Sequence, residues 1–241
     1  MAWSLEPGTP IWGLGQAAAV LAVFVVILAV GLPVVAALHP PGIVFSVVTY
    51  AALAGGLVII GGPIARRAGG WAAAFGWGRP RLADTGQILL FALIGLGARL
   101  VAGGVTLAIF PQLRHEKLSN LHLSGLSTTM VVLAIVIAVL VGPPIEELMF
   151  RGLILRAGMR RVGFLPAALV GSLIFGACHG WEEHTAAGAV FLAVNTAAFG
   201  LVQCFLVRRT ARLGPAIAVH GLSNLIAAVG ALATGSILLA T

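Results

Sequence analysis

Seven stretches of this chain run for roughly 17 residues or more with almost no charge, each bounded by arginines, prolines or a short polar turn. About 20 apolar residues in a helix span a hydrocarbon core ~30 Å thick. In lipid the backbone must satisfy its own hydrogen bonds, which leaves helices or closed barrels. Uninterrupted apolar runs of this length, without period-two alternation, select helices. The chain therefore reads as an all-α, polytopic integral membrane protein, a single membrane domain over residues 1–241.

The spans fall at about Ile11–Leu38, Ile43–Ala65, Asp84–Phe110, Ser127–Arg161, Phe164–Gly180, Thr185–Val207 and Leu213–Leu239. Asp84 is the expected N-cap of the third. Gly142-Pro143-Pro144 is expected to kink or break the fourth. The connector 68–83, with Trp71, Trp77, Arg79 and Arg81, suits the headgroup layer. The first apolar run exceeds a typical signal-peptide core and lacks a basic segment before it, so an uncleaved span is expected.

Composition agrees. Only 9% of residues are charged and 60% are hydrophobic, whereas a soluble domain carries about 25% charge. The net charge of +7 does not indicate nucleic acid, because the basic residues lie between spans. Ten of the 14 basic residues occupy alternate loops and two, Arg114 and Lys117, the opposite ones. By the positive-inside rule this places the N-terminus in the cytoplasm. The preference for Arg over Lys, with abundant Ala and Gly, suggests a GC-rich bacterial genome, and for a polytopic membrane protein of such a source the inner membrane is the expected location. Cys178 and Cys204 lie in apolar runs and suit buried small side chains.

Polar side chains inside spans are costly and persist when paired, wet or functional. Those singled out are Arg99, Glu146, Glu147, Arg151, His179, His220 and Asn224. Glu147 and Arg151 are i and i+4, in the order that favours an ion pair. Glu146 is rotated about 100° from Glu147 and lacks a local cation. An unpaired carboxylate in a mostly apolar pocket is suited to act as a general base. Phe175 lies one turn before His179 and can pack on its ring. Gly176 and Gly180 permit close helix approach. His220 and Asn224 project from one helix face, and Gly221 leaves room for a backbone to pass.

Each group has a plain structural reading: Glu147–Arg151 as an ion pair, a single His or Asn as an interhelix hydrogen-bonding group. Together they could also form a proton or ion pathway. His179 and His184 are five residues apart and miss the zincin spacing. His184, Glu183, His39, His115 and His122 read as loop residues. Arg99 is expected to pair with Glu146 or Glu147, or to face a cavity and hold a substrate carboxylate.

The series Glu146-Glu147…Arg151, Phe175…His179, His220…Asn224 resembles the CPBP family, which contains type II CAAX prenyl endopeptidases, bacteriocin-processing proteins and Abi proteins. The resemblance is specific over a motif-bearing core, residues 127–224, and extends to Gly78-Arg79-Pro80-Arg81. It implies seven or eight helices enclosing an intramembrane cavity, and a hydrolase that cuts a peptide bond within the membrane. Glu146, helped by His179, would activate water. His220 and Asn224 would steady the oxyanion, and Glu147 and Arg151 would orient their helix. The peptide or protein substrate would enter from the bilayer or the cytoplasm. Glu146, His179 and His220 could ligate a divalent metal such as zinc; a metal-free site is equally compatible. A proton-coupled transporter and a non-catalytic scaffold or immunity protein are the rival readings.

One tension arises from the spans. His220 lies about 12 Å, and His179 about 24 Å, from the same edge at 1.5 Å per residue. A shared site requires tilted helices, or a fifth helix that starts outside the bilayer.

Overall fold

The computed structural model describes residues 13–31, 42–115, 127–180 and 185–233, and among these every regular element is helical. We number the helices α1 (Leu14–Val26, extended by a π turn Ile27–Gly31), α2 (Gly42–Arg67), α3 (Trp71–Phe75), α4 (Thr85–Ile109), α5 (Thr128–Val162), α6 (Phe164–Gly180), α7 (Ala186–Thr210) and α8 (Leu213–Ala233). Helices α2, α4, α5, α7 and α8 are long and apolar enough to cross a membrane, while α1 and α6 are shorter apolar helices. The chain is a polytopic all-α membrane protein.

Its polarity is inverted relative to a soluble domain. Ile59, Leu93, Leu100 and Val101 are exposed, as lipid-facing side chains should be. Glu147, Arg151, Gln203, Ser172 and His220 are buried. Lipid tails offer no hydrophobic gain for helix association, so close packing and interhelix hydrogen bonds hold such a bundle together. Helix α7 lies at its centre and packs on α6, α4, α8 and the middle of α5. Around it cluster Phe75, Met149, Phe150, Leu153, Phe175, Phe199, Leu206 and Val219.

Small residues set the α6–α7 distance. A Cβ on Gly176 would strike the Ala193 carbonyl and lie 2.9 Å from Ala197 Cβ. One on Gly180 would lie 2.8 Å from the Ala189 carbonyl. We expect Gly176→Val to force α6 off α7 and cost about 1–3 kcal/mol or more. A lower unfolding midpoint in detergent checks this.

The depth tension has a geometric answer. Gly163 makes the α5–α6 turn with φ +79°, a left-handed value open to glycine. Glu146 lies 17 residues before that turn and His179 lies 16 after it, so both sit about 25 Å from the turn. Arg156 Nη1 donates to the Ala74 carbonyl, and Gly76 O accepts from Leu213 N–H. Arg156 is thus level with the start of α8, and the tip of the hairpin projects about 10 Å further. His179 and His220 reach one level because α6 begins beyond the level at which α8 starts.

Two local expectations are refined. Helix α5 does not break at Gly142-Pro143-Pro144. It runs from 128 to 162 with π-helical turns at Ile137–Val141 and Leu148–Leu155. The wider turn absorbs the missing proline N–H groups. Asp84 occupies the N-cap position of α4 without capping it by a side-chain hydrogen bond. Its carboxylate accepts from the Arg81 N–H at 2.7 Å and from Arg212 Nη2 at 2.6 Å. Parts of the first and last spans, His39, Lys117, His122 and the 181–184 turn lie outside the described residues.

Candidate active site

The π turn in α5 has a consequence for the site. Gly142 N–H reaches back to Ile137 O, and residue 143 is a proline without an N–H. The Ala138 carbonyl is thereby left for another donor, and Asn224 Nδ2 of α8 supplies it at 2.8 Å. The next carbonyl, Val139 O, faces Gly221, where a Cβ would approach within 2.8 Å. The Pro-Pro pair and Gly221 together seat α8 against α5.

Glu146 and Glu147 diverge as their helical phase requires. Glu146 Oε1 accepts from Tyr50 OH of α2 at 2.9 Å. A Cβ on Gly142 would fall 2.7 Å from that hydroxyl, so Gly142 makes room for the tyrosine. Glu146 Oε2 lies 3.7 Å from His179 Nε2 and 3.7 Å from His220 Nε2. This oxygen is buried and has no hydrogen bond among the described residues. The Glu146 and His179 side chains keep 12% and 16% exposure, so neither is fully sealed off.

The other nitrogen of each imidazole is held. His179 Nδ1 lies 2.8 Å from Phe175 O, one turn back. A carbonyl only accepts, so Nδ1–H donates and a neutral ring keeps its Nε2 lone pair toward Glu146. His220 Nδ1 lies 2.9 Å from Glu147 Oε1, an arrangement of carboxylate and imidazole that fixes ring orientation. Phe175 meets His179 edge-on at 4.6 Å between centroids, and Phe199 meets His220 at 5.3 Å.

Glu147 is more than half of an ion pair. It is fully buried, and its Oε1 accepts from Arg151 Nη1 at 3.1 Å, His220 Nδ1 at 2.9 Å and Gln203 Nε2 at 3.5 Å. Arg151 in turn donates to Gly200 O of α7 at 3.1 Å and stacks over Phe175 at 4.3 Å. Gln203 also donates to Ala216 O at 2.7 Å. This network joins α5, α6, α7 and α8 behind the pocket.

Glu146, His179 and His220 converge, with Glu147, Arg151 and Phe175 as their support. Asn224 is on the same face of α8 as His220, one turn on. Of the roles expected for Arg99, pairing with a glutamate is not seen among the described residues. Its Nη1 donates to Ser223 Oγ at 2.8 Å and its guanidinium lies 5.1 Å from the Phe199 centroid. Tyr50 and Gln203 were missed by sequence reasoning. The signal existed: Tyr50 is the chain's one tyrosine, and Gln203 is one of two amides, with Asn195, in an apolar span.

Glu146, His179 and His220 have donor chemistry that suits zinc. Among the described residues, however, no group of three His, Cys, Asp or Glu is arranged to hold a metal ion. The donor set fits the metal chemically and its spacing does not. Cys178 is half-buried, and Cys204 is buried with Ser172 Oγ at 3.7 Å.

No solved structure matches the chain. A Bacillus subtilis (strain 168) protein described as "Putative membrane peptidase YdiL" is 30% identical over 143 residues, covering 58% of this chain and 54% of the relative. The chain thus spans about half the length of the curated relative it matches. Residues 128–226 match the family model of the type II CAAX prenyl endopeptidase Rce1-like proteins. Over that stretch, which carries every motif side chain from Glu146 to Asn224, the chain is similar to the Rce1-like family.

Proposed function

We propose that this protein is an intramembrane endopeptidase that hydrolyses a peptide bond with water activated by Glu146 and His179. The observation that carries the reading is Glu146 Oε2: buried, without a hydrogen bond among the described residues, and 3.7 Å from each of two imidazole Nε2 atoms. These separations are too long for direct hydrogen bonds and suit one water shared by all three groups. A buried polar atom left in this state calls for such an explanation.

In this mechanism Glu146 takes a proton from the water as its oxygen attacks the substrate carbonyl. Tyr50 OH steadies the other carboxylate oxygen. His179, anchored by Phe175 O, orients the water, takes that proton from Glu146 on Nε2 and delivers it to the amine nitrogen as the C–N bond breaks. His220 is oriented by the Glu147 carboxylate at Nδ1, so that its Nε2 edge faces the oxyanion. Asn224 spends one amide hydrogen on Ala138 O and has a second for the same oxyanion. The donors are fixed before substrate arrives, as electrostatic stabilisation requires. The substrate is a peptide segment that reaches the pocket from the bilayer or the cytoplasm. The protein resides in a bacterial inner membrane with its N-terminus in the cytoplasm.

The test is hydrolysis of membrane-associated peptides by the protein in proteoliposomes, with products identified by mass spectrometry. The wild type should release defined fragments, and His179→Ala should lower the rate by about 10²–10⁴-fold with an unchanged unfolding midpoint. Equal cleavage by a folded His179→Ala protein would remove the mechanism. Solute flux without peptide products would point to a carrier.

A further inference from the structure

Far from the glutamates, at the end of the bundle where α2 and α7 finish and α4 and α8 begin, lies a second concavity. Its volume is about 390 Å³, and its lining includes Trp77, Arg79, Arg81 and Arg212. We propose that it binds the phosphate headgroup of an anionic phospholipid. This inference is independent of the peptidase reading.

The first argument is charge. Three guanidinium groups line the pocket, and Asp84 is the one acid nearby among the described residues. Its carboxylate is occupied by Arg212 Nη2 at 2.6 Å and by the Arg81 backbone N–H at 2.7 Å. No carboxylate among the described residues forms a salt bridge with Arg79 or Arg81, and both are exposed. Planar guanidinium groups bind phosphate oxygens in pairs.

The second argument is preorganisation. Gly76 O accepts from Leu213 N–H at 2.8 Å. Gly76 is left-handed at φ +72°, and a Cβ there would meet Arg156 and the Ala211 carbonyl. A Cβ on Gly214 would collide with the backbone of Gly78, Arg79 and Pro80. Arg212 Nη1 donates to Arg79 O at 3.2 Å. The connector is thus fastened to the start of α8 by backbone contacts, and its arginines need not be gathered when a ligand arrives.

The third argument selects the source of the phosphate. Trp77 is 40% and Leu82 95% exposed beside these arginines. Water-facing protein seldom leaves a leucine so bare, whereas the headgroup layer accommodates Trp and Arg at the level where acyl chains begin. Basic pockets between helices at this level take anionic headgroups. A free phosphate ion would gain nothing from the apolar rim.

The experiment titrates the full chain in detergent with dioleoyl phosphatidylglycerol or dioleoyl phosphatidylcholine, and counts retained lipid by native mass spectrometry. Phosphatidylglycerol should bind at least about tenfold tighter than phosphatidylcholine. Arg79→Gln/Arg81→Gln should weaken phosphatidylglycerol about 30-fold, at roughly tenfold per 1.4 kcal/mol and about 1 kcal/mol per basic residue. Arg66→Gln/Arg67→Gln, the same charge change on exposed positions outside the pocket, should change it less than about threefold. Equal retention of both lipids, unaltered binding in the Arg79/Arg81 variant, or an equal loss in the Arg66/Arg67 variant would overturn the site. Saturation by inorganic phosphate, with no preference for phosphatidylglycerol, would overturn the lipid assignment.

Discussion

Glu146→Gln should lower kcat for peptide hydrolysis by about 10²–10⁴-fold, the range that positioned acid–base groups contribute, and leave KM nearly unchanged. The substitution keeps volume and an oxygen that can accept from Tyr50 OH, a contact of 2.9 Å in the wild type. It removes the oxygen that faces both imidazoles at 3.7 Å and replaces it with an amide that cannot take a proton. An effect on kcat alone is the mark of an interaction made in the transition state. Tyr50→Phe supplies the graded control. It leaves the base in place and frees one oxygen to rotate, so the loss should be smaller, roughly tenfold or less. Single-turnover kinetics in proteoliposomes measure both. A Glu146→Gln protein that is folded and fully active would end the proposal.

The bundle was legible because lipid makes the sequence code simple: apolar runs become helices and arginines mark their ends. Boundaries agreed within a few residues for Ile43–Ala65, Asp84–Phe110 and Phe164–Gly180. The phase difference between Glu146 and Glu147 was equally readable, since successive residues on a helix turn by about 100°. What periodicity along one helix could not show was cross-helix partnership. Glu147 looked complete once Arg151 was found four residues on, and that hid its bond to His220 on α8. Tyr50 is 96 residues from Glu146, and nothing local in α2 points to it. The Pro-Pro pair was read as a kink or a break because proline removes an N–H. A π turn solves the same problem without interrupting α5, and it turns the freed Ala138 carbonyl into the seat of Asn224. Arg99 was expected either to pair with a glutamate or to face a cavity and hold a substrate carboxylate. It meets a hydroxyl and an aromatic face.

Arg151→Met should destabilise the protein by about 3–5 kcal/mol, because it leaves Glu147 buried without its cation. It also strips the Gly200 carbonyl and the Phe175 face of their partner. The double variant Glu147→Leu/Arg151→Met removes both charges, and replacing a buried pair by apolar residues of similar size is often neutral for stability. Its unfolding midpoint should therefore recover most of the loss. Activity should not recover with it. His220 Nδ1 would face leucine in place of the carboxylate it now meets at 2.9 Å. Losing such a positioning partner costs about 10–100-fold in comparable carboxylate–imidazole sites. Denaturant unfolding in detergent and hydrolysis rates on the same preparations separate the two effects. Restored stability with hydrolysis still depressed would make Glu147 a positioning residue for His220. Restored activity would reduce it to the counter-ion of Arg151, and the imidazole of α8 would then need no carboxylate behind it.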